Sequence, residues 1–166
     1  MWGVMIKVGD KLPEGFFRVK DNEGTANKVS VEELFAGQKV VLVGVPGAFS
    51  STCHRAHIPL FIENADKIKA KGVDRIAVMA VNDHHVMKVW GEALNSNGKV
   101  EFLADGAAAF AKAIGTDVDM SGTGLGTRTR RFSMIVEDGV VKKINLEPEG
   151  GSGVTVTGAP TMLDQL

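Results

Sequence analysis

Apolar and polar positions along this chain fall into short blocks of two different periods. Gln38–Val45, containing Val40-Val-Leu-Val-Gly-Val45, is an almost unbroken β-branched and aliphatic run, the pattern of a strand covered on both faces. Asp74–Val81 repeats it. Between them Ile58, Phe61, Ile62, Ala65 and Ile68 recur at helical spacing, which predicts a loop from Ser50 and then a helix to Lys71, stopped by Gly72. Ser30-Val-Glu-Glu33 has capping-box spacing and opens a short helix that closes near Gly37. Asn82-Asp83 caps a further helix running to about Asn97, followed by a short strand around Val100–Leu103 and a small helix around Ala107–Ile114. Arg131–Glu137 and Val140–Leu146 read as alternating strands about Asp138-Gly139, a strong hairpin signal, and Pro160–Leu166 starts a closing helix.

The order β-α-β-α, then a hairpin, then a helix, predicts an α/β fold. Its centre is a mixed β-sheet flanked by helices on both faces, in a thioredoxin-like arrangement. The crossover between Val40–Val45 and Asp74–Val81 is expected to be right-handed, with those strands parallel. No repeat, linker or low-complexity tract interrupts the chain, so a single domain is expected over residues 1–166. Apolar residues make up 44% of it, enough for a substantial core.

Charge is balanced, with 19 Lys+Arg against 20 Asp+Glu and a formal net charge of −1. Nucleic acid and anionic membrane surfaces both select a basic excess, so neither is expected as the main partner. No run approaches the length of a membrane span, and Met1–Lys7 lacks the pattern of a secretory signal; a removed presequence would leave no trace here. One cysteine in 166 residues rules out an internal disulfide framework and points to a reducing compartment, expected to be the cytoplasm.

That cysteine, Cys53, ends Pro46-Gly-Ala-Phe-Ser50-Ser-Thr-Cys53, directly after a buried strand and at the first turn of the next helix. Free cysteines commonly pack as small hydrophobes. A helix start, however, presents free N–H groups and partial positive charge, which favour the thiolate, the nucleophilic form. Proline ends the strand and fixes the exit of the chain. Ser50 lies three residues before Cys53, the spacing of a capping hydroxyl to the N3 amide. It either caps only, or also offers its hydroxyl to a substrate oxygen.

At these residues the chain resembles the peroxiredoxin 5 (type II, atypical) subfamily of the peroxiredoxins. The likeness runs from Pro46–Cys53 through His57-Ile-Pro59. It extends to Ile6–Asp10, Glu33–Gly37, Val81-Asn-Asp83, Trp90-Gly91, Phe102–Asp105, Arg131–Met134 and Asn145-Leu-Glu-Pro148, all in family order. The resemblance implies that Cys53 is the peroxidatic cysteine, attacking a hydroperoxide to give a sulfenic acid. It also implies that Pro46 shields the sulfur, that Ser50 and the backbone N–H of Cys53 bind the peroxide, and that Arg131 stabilises thiolate and transition state. The substrates implied are hydrogen peroxide and alkyl hydroperoxides, with no cofactor, and the expected assembly is a homodimer. Arg130 should face away from Arg131 as a solvated charge.

Three departures from the family pattern stand out. Ser50 replaces the usual Thr and loses the methyl that restricts its rotamer. Ser51 replaces a common Pro. Many members carry a resolving cysteine within the segment that is Gly153-Val-Thr-Val-Thr157 here, where this chain has Val156. A one-cysteine mechanism is therefore expected, recycled from outside by glutathione with or without glutaredoxin, or by thioredoxin.

Other signals carry less chemistry. His54, His57, His84 and His85 with one cysteine do not make the convergent set a zinc site needs, so no metal is expected. A Cys53–His57 hydrolase would also need an oxyanion hole and a substrate groove, and His57 is expected to support the loop instead. Gly122–Gly126 lacks phosphate-loop spacing and reads as a flexible loop, and Glu147–Gly153 as a polar, mobile turn. The alternative function is a redox sensor or chaperone-like binding protein in which oxidation of Cys53 is the signal. The enzymatic reading requires a Cys53 sulfur open enough to meet a small oxidant and held beside the guanidinium of Arg131.

Overall fold

The computed structural model describes residues 5–148 and 153–166. In chain order the elements are β1 (Phe16–Lys20), β2 (Ala26–Ser30), α1 (Val31–Phe35), β3 (Lys39–Gly44), α2 (Ile58–Glu63), α3 (Ala65–Ala70), β4 (Arg75–Ala80) and α4 (His84–Ala93). They continue with β5 (Glu101–Ala104), α5 (Ala109–Ile114), β6 (Asp117–Asp119), β7 (Thr127–Thr129), β8 (Phe132–Glu137), β9 (Val140–Leu146) and α6 (Ala159–Gln165). A single π-helical turn, Cys53–His57, runs directly into α2.

Side chains of successive strand residues point to opposite faces, so the two apolar runs feed two layers at once. Val41 and Val43 of β3, with Ile76, Val78 and Ala80 of β4, pack under α2, α3, α4 and α6 through Ile58, Phe61, Ile68, Trp90 and Met162. Val40, Leu42, Ala77 and Met79 face the other way, onto Leu34 and Phe35 of α1, Phe110 and Ile114 of α5, and Phe17. The sheet between these layers has the order β2-β1-β5-β4-β3-β8-β9. Strands β3, β4 and β5 are parallel, whereas β8 runs antiparallel to both β3 and β9. The expected α/β, thioredoxin-like sheet with helices on both faces is present.

Local signals explain most boundaries. The Ser30 hydroxyl accepts from the Glu33 amide at 3.0 Å, and Asp83 caps α4 by accepting from Val86 N–H at 2.9 Å. Asp138 and Gly139 both have positive φ, 47° and 76°, the requirement of the tight turn that joins β8 to β9. Gly44, an interruption in an otherwise bulky run, pairs with Phe132 of β8, and the Phe132 ring lies across it. A Cβ on Gly44 would stand 2.0 Å from that ring.

Several expectations need correction. The helix expected to reach Lys71 is divided: the π turn widens its start, and Asn64 separates α2 from α3. The Asn64 side chain donates to the Leu60 carbonyl, the kind of local bond with which Asn competes against helix continuation. Helix α4 stops at Ala93, short of Asn97, because Asn95 and Asn97 adopt left-handed conformations. Gly122–Gly126 is no free loop. It follows β6, overlaps a short 3₁₀ turn at Ser121–Thr123, and leads into β7, which pairs back onto β6. The β1–β2 hairpin, absent from the sequence reading, is organised by the Asp21 carboxylate, which accepts from Glu23 N–H, Thr25 N–H and the Asn27 amide.

Candidate active site

Strand β3 delivers the chain to Val45-Pro46, at the carboxyl end of the parallel strands, where α/β sheets gather reactive groups. The loop that follows is tied down at separate points. Ala48 N–H donates to the Asn82 side chain at 2.9 Å, and the Ser50 hydroxyl donates to the Gly47 carbonyl at 2.8 Å. Phe49 holds φ 62°, a left-handed conformation that a bulky residue adopts only under constraint. Its ring stacks on His54 at 5.4 Å, and His54 Nδ1 in turn accepts from the indole N–H of buried Trp90 at 3.0 Å. Ser50 carbonyl accepts from His54 N–H, so the turn carrying Cys53 begins inside this anchored loop.

Within the π turn the Ile58 N–H reaches back to the Cys53 carbonyl. Such widened turns cost helix regularity and concentrate at functional sites. Here the turn presents Cys53 and His57, both fully buried, to one guanidinium. Arg131 supplies it from the other side of the sheet ladder. Because Gly44 pairs with Phe132, Arg131 arrives beside the exit of β3. Its Nη2 donates to Cys53 Sγ at 3.0 Å and its Nη1 to His57 Nδ1 at 2.8 Å. The residue is 8% exposed, so the pairing is formed largely out of water.

His57 is fixed in one tautomer. Its Nε2–H donates to the Thr157 carbonyl at 2.9 Å, which leaves Nδ1 as the acceptor for Arg131. Burial lowers its pKa from 6.5 to about 4; the Thr157 bond opposes that fall and the Arg131 charge adds to it. The ring is therefore neutral at physiological pH.

Thr157 is held by Glu147. The Glu147 carboxylate accepts from the N–H groups of Thr155, Val156 and Thr157 at 2.9–3.0 Å, from the Thr157 hydroxyl at 2.6 Å, and from the Thr155 hydroxyl. Burial by itself would raise the pKa of this carboxyl, but the donors outweigh it and bring it from 4.5 to about 2. The Glu147 N–H also donates to the Arg131 carbonyl, and the Glu147 carbonyl accepts from Arg130 at 3.1 Å.

Of the residues singled out from sequence, Cys53 and Arg131 come together as expected. Pro46 and Ser50 lie on the loop that leads into the Cys53 turn, but the Ser50 hydroxyl bonds the Gly47 carbonyl rather than an amide in the next turn. The openness required of the sulfur is not met. Cys53 has 0% exposure, because its turn packs into the layer formed by Val43, Val45, Ile58 and Phe61. The sulfur is nonetheless not enclosed by hydrocarbon alone, since the guanidinium faces it. Arg130 is half-buried and engaged, not a freely solvated charge. Glu147, read as part of a mobile turn, is buried and the best-connected carboxylate near the site; residues 149–152 of that turn lie outside the described residues. The signal that could have revealed it is the pairing of an acid in Asn145-Leu-Glu-Pro148 with the Thr-rich segment Val154-Thr-Val-Thr157. His84 and His85 stack on each other at 4.2 Å, and His85 pairs with Lys20, on α4 and β1.

The redoxin family profile matches residues 7–163. Peroxiredoxin-2C of Oryza sativa subsp. japonica is 47% identical over 161 residues, covering 97% of this chain and 98% of that protein. The crystal structure of reduced Prx3 from Vibrio vulnificus in complex with H2O2 superposes with TM-score 0.91 at 46% identity, covering 97% and 99% of the two chains. Peroxiredoxin 5 from Alvinella pompejana matches with TM-score 0.82 at 31% identity, covering 97% and 99%. With a cysteine and an arginine meeting at the end of a thioredoxin-like sheet, and with relatives of this length and likeness, the chain belongs to the redoxin family and, within it, to the peroxiredoxins, the thiol-dependent peroxidases.

Proposed function

We propose that this peroxidase reduces hydrogen peroxide and alkyl hydroperoxides by a one-cysteine cycle centred on Cys53. The thiolate sulfur attacks the terminal peroxide oxygen, an S–O bond forms and the O–O bond breaks. The leaving oxygen takes a proton and departs as water or alcohol, leaving Cys53 as the sulfenic acid. The observation that carries this reading is the 3.0 Å contact from Arg131 Nη2 to Cys53 Sγ. A guanidinium fixed there stabilises both the thiolate and the negative charge that develops as O–O cleaves. The Ser50 hydroxyl, with its hydrogen committed to Gly47, keeps lone pairs for the peroxide O–H. Pro46 closes the loop over the sulfur, and the Cys53 N–H adds a donor.

An external thiol then condenses with the sulfenic acid to a mixed disulfide and water, and a second thiol releases Cys53 as an oxidised disulfide leaves. Glutathione, with or without glutaredoxin, and thioredoxin are the candidate reductants. Because Cys53 is buried, the loop at residues 46–52 must open for a thiol to reach it. We place the cycle in the cytoplasm, where such thiols are kept reduced, and in a homodimer. Support for the dimer comes from exposed Phe49 (45%), Leu125 (46%) and Val156 (40%), which lie on segments bordering the site.

The test is steady-state peroxide consumption with glutathione/glutaredoxin against thioredoxin, for the native protein and Cys53→Ser. Consumption by the native protein that is abolished in Cys53→Ser supports the reading. Equal turnover in the variant overturns it, and a single stoichiometric oxidation that no thiol reverses favours the sensor function instead. Light scattering and cell fractionation test the dimer and the compartment.

A further inference from the structure

We propose that Glu147 is a positioning residue for Arg131, and so for the reactivity of Cys53. The bonds described above close into a ring. Glu147 N–H holds the Arg131 carbonyl at 3.2 Å. The Glu147 carboxylate holds the amides of residues 155–157, and so sets where the Thr157 carbonyl points. That carbonyl accepts a hydrogen bond from His57 Nε2–H, and His57 Nδ1 accepts one from Arg131 Nη1. The arginine is thus held at its main chain by Glu147 directly and at its guanidinium by Glu147 through Thr157 and His57, while Nη2 meets the sulfur.

An arginine side chain has several rotatable bonds, and its value to a transition state depends on those being fixed before the reaction. Neither Thr157 nor His57 fixes itself. The threonine lies on a segment without regular secondary structure, held to Glu147 by its amide and hydroxyl. The histidine reads that carbonyl. With the carboxylate removed, three N–H and two O–H groups lose their acceptor together, which releases the carbonyl, the histidine tautomer and the guanidinium in turn. Glu147 touches neither sulfur nor peroxide, so its action is on alignment alone.

This inference rests on the peroxidase reading, and its test separates the two. Glu147→Gln keeps the volume but replaces one acceptor oxygen by a donor that faces other donors. The alkylation rate of Cys53 by iodoacetamide is measured against pH, together with the single-turnover rate with hydrogen peroxide and circular dichroism. The expected result is native secondary structure, an alkylation profile moved to higher pH, and peroxide oxidation slowed roughly ten-fold, part of the loss that follows when an electrostatic donor is removed outright. Thr155→Val removes one exposed-side hydroxyl donor and leaves the charge. It should move both measurements in the same direction by less, and it decides the matter should Glu147→Gln fail to fold. In a His57→Leu background, Glu147→Gln should add no further change to the alkylation profile. A folded Glu147→Gln with a lowered melting temperature but an unmoved profile and rate overturns the proposal, as does an unmoved Thr155→Val where Glu147→Gln does not fold. Native protein that consumes no peroxide would end the peroxidase reading while the alkylation profile still reported on alignment.

Discussion

Arg131 donates to Nδ1 of His57 at 2.8 Å, a bond that only an uncharged imidazole can accept. The histidine's low proton affinity is thus a working part of the site. It also has a measurable cost in acid. Above about pH 6.5 the ring is neutral in folded and unfolded chains alike, and the full contribution to stability is present. As pH falls from 6.5 to about 4 the unfolded chain takes up a proton that the folded one refuses, so stability drops, by about 3 kcal/mol in all. Glu147 extends the loss further, between 4.5 and about 2. Urea midpoints measured down through this range should fall for the native protein. In His57→Gln, which keeps a donor and an acceptor but does not titrate, the part above pH 4.5 should be nearly flat.

Arg131→Lys keeps the charge but loses the fork that meets Cys53 and His57 together. Peroxide oxidation of Cys53, followed in a single turnover, should slow by about a hundred-fold, the cost of losing a fixed donor to developing negative charge. Arg131→Ala should slow it at least as much and move cysteine alkylation to higher pH. Unchanged pH-dependent alkylation in Arg131→Ala would contradict the role given to the guanidinium.

Gly44→Ala places a methyl 2.0 Å from the Phe132 ring, a distance that forces the ring or strand β3 to move. Overpacking of this kind typically costs about 1–3 kcal/mol. Since Phe132 adjoins Arg131, the displaced ring should also disturb the guanidinium. Denaturation should report the lost stability, and peroxidase activity should fall beyond what the unfolded fraction explains.

Trp90→Phe removes the N–H that His54 Nδ1 accepts, while keeping an aromatic ring against Phe102. Loss of that bond should lower stability by about 1 kcal/mol. The loop at Phe49 should loosen as well, and proteolysis at residues 46–52 should quicken, because His54 links Phe49 to the core.

Cys53 and Arg131 were legible in the sequence although they stand 78 positions apart. Cys53 sits at a place its own neighbourhood marks, the end of a buried apolar run; Asp138-Gly139 announces the hairpin that Arg131 heads, and the resemblance to peroxiredoxins singled out that arginine. The parallel strands were legible for the same reason, since a run apolar at every position has two faces to bury. The link between cysteine and arginine was harder to see. His57 meets Arg131 because the turn is a π turn, and no spacing rule separates that from an ordinary helical start. Glu147 was missed because a carboxylate followed by Pro, Gly and Ser has the composition of a solvated turn, and its donors, Thr155–Thr157, announce themselves only once the chain has folded back. The β1–β2 hairpin turns on one aspartate, Asp21, which composition does not distinguish from any surface acid.

The sheet acts as a bulkhead. Cys53 and helices α2, α3, α4 and α6 belong to the layer of Ile58, Phe61 and Trp90, while Leu34 and Phe35 of α1 and Phe110 of α5 lie on its far side. A chain that must let different molecules in to one sulfur atom has therefore confined the breach to half its interior. Amide protons around residues 46–58 should exchange with solvent well before those of α1 and α5, and the far compartment should stay dry throughout turnover.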